Sequence, residues 1–182
     1  MRILLCAALL AMVSISCVSS YHSGEEDTEI FVFQDYFNKN CQEVEPFLEK
    51  ALIDLNSSGV KVTFVDMHHT PQNMLFSRYF LYAANAVDDF NELMRVRRIL
   101  FEAATWRYIS ELKLYDELKS RKVKMGVFEL QPVYDQWSEL IAKYDIKTTP
   151  TIIQQGRVEE YSVFAGTKEI EQGLKGLKTA LM

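Results

Sequence analysis

Cysteine is nearly absent from this chain: 182 residues hold three, at Cys6, Cys17 and Cys41. The first two belong to an N-terminal stretch with the character of a targeting segment, so the globular part keeps Cys41 alone. A disulfide framework needs pairs, which excludes internal stapling of the mature domain. A surplus of basic residues is missing as well, with 20 Lys and Arg against 25 Asp and Glu and a net charge of −5. A nucleic-acid surface needs a basic stripe, so that class of partner is excluded. Glycine, at seven residues, never clusters into a phosphate-cradling loop, and neither a serine nucleophile elbow nor a zinc signature occurs. No cofactor is expected. Proline is scarce too, at four residues, which makes each placement informative.

No apolar run is long enough to span a bilayer. The longest, Ile3 to Val13, follows Arg2 and precedes the small residues Ser14, Ser16, Ser19 and Ser20. That pattern reads as a secretory signal peptide over residues 1–20, and so as a protein exported to a periplasmic or extracellular space. An alternative cut after Ser16 makes Cys17 the first mature residue, as in lipoprotein processing, although Ser14 stands where such boxes usually carry Leu. Membrane attachment is expected only with a lipid on Cys17. Tyr21 to Glu29 is a polar, acidic lead-in, and residues 29–182 are the size of one domain. The sequence carries no signal for an oligomeric state.

Glu29 to Phe33 has the apolar, β-branched and aromatic content of a buried strand. A helix is expected from Cys41, with Val44, Phe47, Leu48, Ala51, Leu52 and Leu55 on one face, bent at Pro46 and stopped by Ser57-Ser58-Gly59. Val60 to Val65 alternates as a strand does. Thr70-Pro71 is a cap followed by the proline favoured at a first helical position. Helical composition continues to about Val87 and again over Arg95 to Ala104. Tyr108, Leu112 and Tyr115 then share a face, and Val133, Trp137, Leu140, Ile141 and Tyr144 share another. Two strands, Thr151 to Gln154 and Val158 to Phe164, form a hairpin around Gln155-Gly156. Gly166 breaks the chain before a last helix, capped at Thr167, with Ile170, Leu174, Leu177 and Leu181 inward. The order implies one α/β domain with a helical insertion over about residues 67–145.

This order resembles the thioredoxin superfamily, and its inserted helices resemble the DsbA-like thiol-disulfide oxidoreductases. Phe33 to Cys41, with Pro46 five residues on, is similar to the family's strand, Cys-x-x-Cys motif and first helix. His68, His69 and Pro71 resemble its His-Pro step, Arg98 to Ala103 its Leu-Phe-Glu-Ala helix, and Thr149-Pro150 its cis-proline loop. The resemblance covers roughly Glu29 to Leu181 and implies a thioredoxin-like α/β fold with the insertion between the second strand and the cis-proline strand. It also exposes two departures. Asn38 stands at the position of the nucleophilic first cysteine, leaving Asn-Lys-Asn-Cys in the motif, and Val32 stands where the family often has a carboxylate on the strand. Cys41 corresponds to the second, resolving cysteine.

Chemistry narrows the reading. An amide cannot attack a disulfide, because exchange requires a thiolate. Asn38 is a strong helix cap, and Cys41, one turn on and in line with Val44 and Leu48, points to the core, where a thiol's pKa rises. Thr149 and Pro150 can present backbone to an extended peptide. His68 and His69 are adjacent and point apart, with no carboxylates or cysteines spaced to complete a metal site, so a turn or helix-start role is expected. Of the aromatics over Phe76 to Tyr82 and Trp106 to Tyr115, most are core and some line a groove above the site. The expected function is an exported, redox-impaired thioredoxin-fold protein that binds extended or unfolded segments of exported proteins. Two other readings stay open: a one-cysteine oxidoreductase using Cys41, and a structural envelope lipoprotein anchored through Cys17.

Overall fold

The computed structural model describes residues 29–106, 109–155 and 161–181. The signal segment, Cys6, Cys17, His22, Tyr108, Gly156 and Val158 lie outside the described residues. Four strands, β1 (Glu29–Gln34), β2 (Lys61–Asp66), β3 (Thr151–Gln155) and β4 (Tyr161–Ala165), form one sheet in the order β2-β1-β3-β4. β1 pairs parallel with β2 and antiparallel with β3, and β3 pairs antiparallel with β4. The helices are α1 (Lys39–Ser57), α2 (Pro71–Ala84), α3 (Phe90–Ala104), α4 (Glu111–Ser120), α5 (Gln131–Lys143) and α6 (Thr167–Leu181). Helices α2 to α5 all lie between β2 and β3 in sequence, which is the expected insertion.

Both faces of the sheet are covered. Along β1, Ile30 and Val32 enter one apolar cluster with residues of α1, α3, α4 and α6, whereas Phe31 and Phe33 enter a second with Val133 and Trp137 of α5. The same split recurs at Ile152 and Ile153 of β3. Because side chains alternate across a strand, a run that is apolar at every position must be buried on both sides. β2, in which Val62 and Phe64 enter the first cluster and Val65 the second, likewise lies between two covered faces and so buries Thr63 as well.

Local chemistry sets the helix starts. Thr70 Oγ1 accepts from the N–H of Asn73 at 3.1 Å, with Pro71 first in α2. The long helical composition after Pro71 is two helices, parted at 85–89 and restarted by Asp89, whose carboxylate accepts from the N–H of Asn91 at 3.1 Å. α1 runs through Pro46 without a break. Gly59, at φ 91°, supplies the left-handed turn that ends it.

One expected face is corrected. In α4 the buried residues are Leu114 and Leu118, while Leu112 is 69% exposed and Tyr115 is 38% exposed. Ser110 Oγ caps the N–H of Lys113 at 3.3 Å, and that start phases the helix so that 114 and 118, one turn apart, face the core. In α5 Val133 and Trp137 are buried, Leu140 and Ile141 pack half-buried on the same cluster, and Tyr144 closes it. Ile170 and Leu174 are buried in α6 as expected; the side chains of Leu177 and Leu181 lie outside the described set.

Candidate functional site

The sheet's register brings the sequence-predicted residues to one end. Gln34 ends β1 opposite Asp66, and Phe33 faces Thr151 on the other side. Pro150 therefore enters the sheet level with the end of β1, just before the chain turns into α1. The Asp35 carboxylate accepts from the N–H of Phe37 at 2.8 Å, and the Asp35 carbonyl accepts from the N–H of Asn38 at 3.1 Å. These bonds fold residues 35–38 into a tight approach to the helix.

Asn38 is the N-cap of α1. Its Oδ1 accepts from the N–H of Asn40 at 2.8 Å and of Cys41 at 3.3 Å. The amide thus occupies the anion-favouring helix terminus with a structural bond and offers no nucleophile. Asn38→Ala is expected to cost about 1 kcal/mol, the usual worth of such a cap, measured by denaturant unfolding. An unchanged midpoint would mean that the helix start is held by the 35–38 turn instead.

Cys41 is 1% exposed, in line with Val44 and Leu48. Burial pushes its thiol up to about 11, against hydrogen bonding from the backbone of Asp35 and the side chain of Thr149, which favour the thiolate. Thr149, itself buried, thus lies near the sulfur, and the peptide bond between it and Pro150 is cis. Thr151 Oγ1 donates to the Thr148 carbonyl at 2.8 Å, and the N–H of Gly166 donates to the Pro150 carbonyl at 3.3 Å. Asn38, Cys41, Thr149 and Pro150 are therefore neighbours in one assembly. Cys17 lies outside the described residues.

His68 and His69 stand apart from this assembly. The His68 ring stacks on Tyr134 at 5.3 Å, with Nδ1 3.1 Å from the Asp66 carbonyl and Nε2 3.3 Å from Ser138 Oγ. Among the described residues no group of three or more His, Cys, Asp or Glu is placed to hold a metal. A groove of about 470 Å³ opens in the insertion, lined by Pro71, Met74, Leu75, Arg78, Glu111, Leu130 and Tyr134. Among the described residues, none of the anticipated aromatics from the 76–82 and 106–115 stretches lines it. Phe76, Tyr79 and Phe80 are core residues, because α2 turns that face toward the sheet.

The largest feature that sequence reasoning missed lies directly beneath the site. Arg97 of α3 is fully buried, donating through Nε to Gln34 Oε1 at 2.7 Å and through Nη1 to Glu45 Oε1 at 2.5 Å. Gln34 Nε2 donates onward to Asp66 Oδ1 at 2.7 Å and to Tyr36 Oη at 3.3 Å. The guanidinium lies 5.0 Å from the ring centre of Phe64 and 5.1 Å from that of Phe101. Burial raises Asp66 to about 6, against Gln34 and other donors, and holds the Tyr36 phenol well above its usual range. The signal for this cluster was strand parity: Gln34 and Asp66 continue the buried rows of Ile30-Val32 and Val62-Phe64.

No protein-family model matches the chain, and no curated protein matches it. Solved structures do. A periplasmic thioredoxin-like protein from Salmonella enterica serovar Typhimurium matches at TM-score 0.65 and 15% identity, over 89% of this chain and 91% of that one. The catalytic domain of ScsC from Proteus mirabilis matches at TM-score 0.65 and 17% identity, over 89% and 90%. The oxidoreductase DsbA from Xylella fastidiosa matches at TM-score 0.64 and 17% identity, over 84% and 85%. At such identities the likeness is one of fold, and it agrees with the expected α/β architecture and its helical insertion.

Proposed function

We propose, from this DsbA-like thioredoxin fold, that the chain is an exported binding protein whose two-cysteine exchange chemistry is lost, and that it holds extended segments of exported polypeptides beside Thr149 and Pro150. The observation that carries the reading is the state of Cys41, a buried thiol pushed up to about 11 beneath Thr149, with an amide cap in place of a partner thiol. At neutral pH on the order of one molecule in ten thousand would carry the thiolate that exchange requires. The cis Thr149-Pro150 bond is formed, with Thr148 exposed beside it, and an extended peptide can pair with backbone at such a loop. Export is proposed from residues 1–20, with residues 29–182 as the folded domain, and is supported by the periplasmic description of the Salmonella structure. Among the described residues no helix is long and apolar enough to cross a membrane.

A photo-crosslinking side chain placed at exposed Thr148 is expected to capture an unfolded, reduced client, and the mature protein is expected to slow that client's aggregation. Insulin reduction should stay at background. Reduction at the rate of a two-cysteine oxidoreductase, or crosslinks confined to other faces, would sink the proposal.

One observation favours the one-thiol alternative: Thr149 and Arg97 both pull the Cys41 thiol toward the thiolate. Labelling decides between them. The folded protein is expected to react with a thiol reagent at least a hundredfold more slowly than the denatured chain, because burial limits both ionisation and access. Rapid labelling of the folded protein would transfer the assignment to one-cysteine exchange.

A further inference from the structure

The buried cluster beneath the site has a charge count that does not close. It contains one cation, Arg97, and two carboxylates, Glu45 and Asp66, all within the core. Glu45 is bonded directly to the guanidinium, whereas Asp66 is reached only through the neutral amide of Gln34. With both acids ionised the core would hold one uncompensated negative charge, which a low-dielectric interior penalises heavily. Four polar atoms there also lack a partner in good hydrogen-bond geometry: Glu45 Oε2, Asp66 Oδ2, Ser77 Oγ and Arg97 Nη2.

The groups around Asp66 come from every element packed on it. Gln34 ends β1, Tyr36 follows it, Ser77 lies on α2, Arg97 on α3, and Glu45 on α1 beyond Arg97. From α5, Tyr134 feels the Asp66 charge, and the ring of His68 meets its backbone carbonyl. None of these adds a second cation to the pocket. The unmatched charge is best relieved by a proton. Burial lifts both acids, Glu45 to about 7 and Asp66 to about 6, but Glu45 is bonded directly to the guanidinium, and Asp66 is the acid without a direct ion partner.

We infer that Asp66 is a proton-operated latch: protonated, it closes the core between the sheet and the inserted helices α2 and α3, and ionised, it loosens that contact. Losing the proton leaves a buried carboxylate with Gln34, Ser77 and Tyr36 as its hydrogen-bonding neighbours. Ser77 sits at the seam between β2 and α2, so admission of water along that seam is the cheapest relief.

The sign follows from linkage. The folded-state value of Asp66, about 6, lies above the model-compound value of 3.8. Its contribution to closure is therefore complete at low pH and is lost as pH rises between those values.

Hydrogen exchange of the β2 and α2 amides, corrected for the intrinsic pH dependence of exchange, tests the latch. Opening is expected to rise roughly tenfold to a hundredfold between about pH 4 and pH 7, each unit of pKa difference being tenfold. Asp66→Asn should remove that rise up to about pH 6, leaving only the titration of Glu45 above it. Since Asp66→Asn could fail to fold, the Asp66 carboxyl carbon is also followed by NMR in the natural protein and in Glu45→Gln. Glu45→Gln frees Arg97 for Asp66, so its midpoint should fall by about a unit or more. An Asp66 already ionised at about pH 4, an unmoved midpoint in Glu45→Gln, or pH-independent opening in the natural protein would each overturn the inference.

Discussion

Asn38→Cys is expected to create dithiol-disulfide activity where the natural chain is expected to have none, raising insulin reduction by on the order of a hundredfold or more. The geometry is already in place. Asn38 Oδ1 reaches the N–H of Cys41 at 3.3 Å, so a side chain at 38 lies over the helix turn that carries the thiol. A cysteine there would sit at the N-cap of α1, where unpaired N–H groups and the helix dipole favour a thiolate. Cys41 would then act as the resolving thiol, buried until a mixed disulfide forms beside it. The same substitution removes a cap worth about 1 kcal/mol, so a modest fall in stability should accompany the gain. The natural protein matching the variant's rate would show that Cys41 suffices alone, and the binding assignment would fail.

The largest stability effect is expected at Arg97. Arg97→Met keeps the length and the contact with Phe64 and Phe101 but strands the Glu45 carboxylate and the Gln34 carbonyl oxygen in the core. Removing one partner of a buried ion pair costs about 3–5 kcal/mol, because the other charge stays uncompensated. For a domain of this size that corresponds to a fall in Tm of roughly 10 °C or more. Adding Glu45→Gln should restore part of the loss, since the stranded charge goes with it, and a double-mutant cycle measures the coupling. If Arg97→Met unfolds within about 1 kcal/mol of the parent, the cluster is solvated and not a sealed core feature.

The fold was legible from the sequence because its strands and helix starts are written in strong local signals. Thr70-Pro71, Ser57-Ser58-Gly59 and the apolar β1 all act over a few residues, and each formed where expected. What failed depended on phase or on distance. In α4 the pairing of Leu112 with Tyr115 was as good a stripe as Leu114 with Leu118, and only the Ser110 cap decided between them. The polar cluster was illegible for a different reason. Gln34, Glu45, Asp66 and Arg97 are scattered over the chain, and each alone is a residue type usually found in water. Only the parallel pairing of Gln34 with Asp66, and the packing of α1 and α3 that brings Glu45 and Arg97 to them, makes them neighbours. Within the candidate site, Asn38 and Cys41 were readable as cap and core residue, whereas the approach of Thr149 to the thiol required the tertiary fold.

The placement of β1 has a consequence for how the molecule is made. This strand is central, with β2 on one side and β3 on the other, yet Thr151 follows Gln34 only after the whole insertion. Until that late segment emerges, one flank of β1 presents its ladder groups unpaired, ready to zip onto any other extended chain. Closure over so long a separation is slow, so the exposed flank of β1 is the edge that folding must cover last.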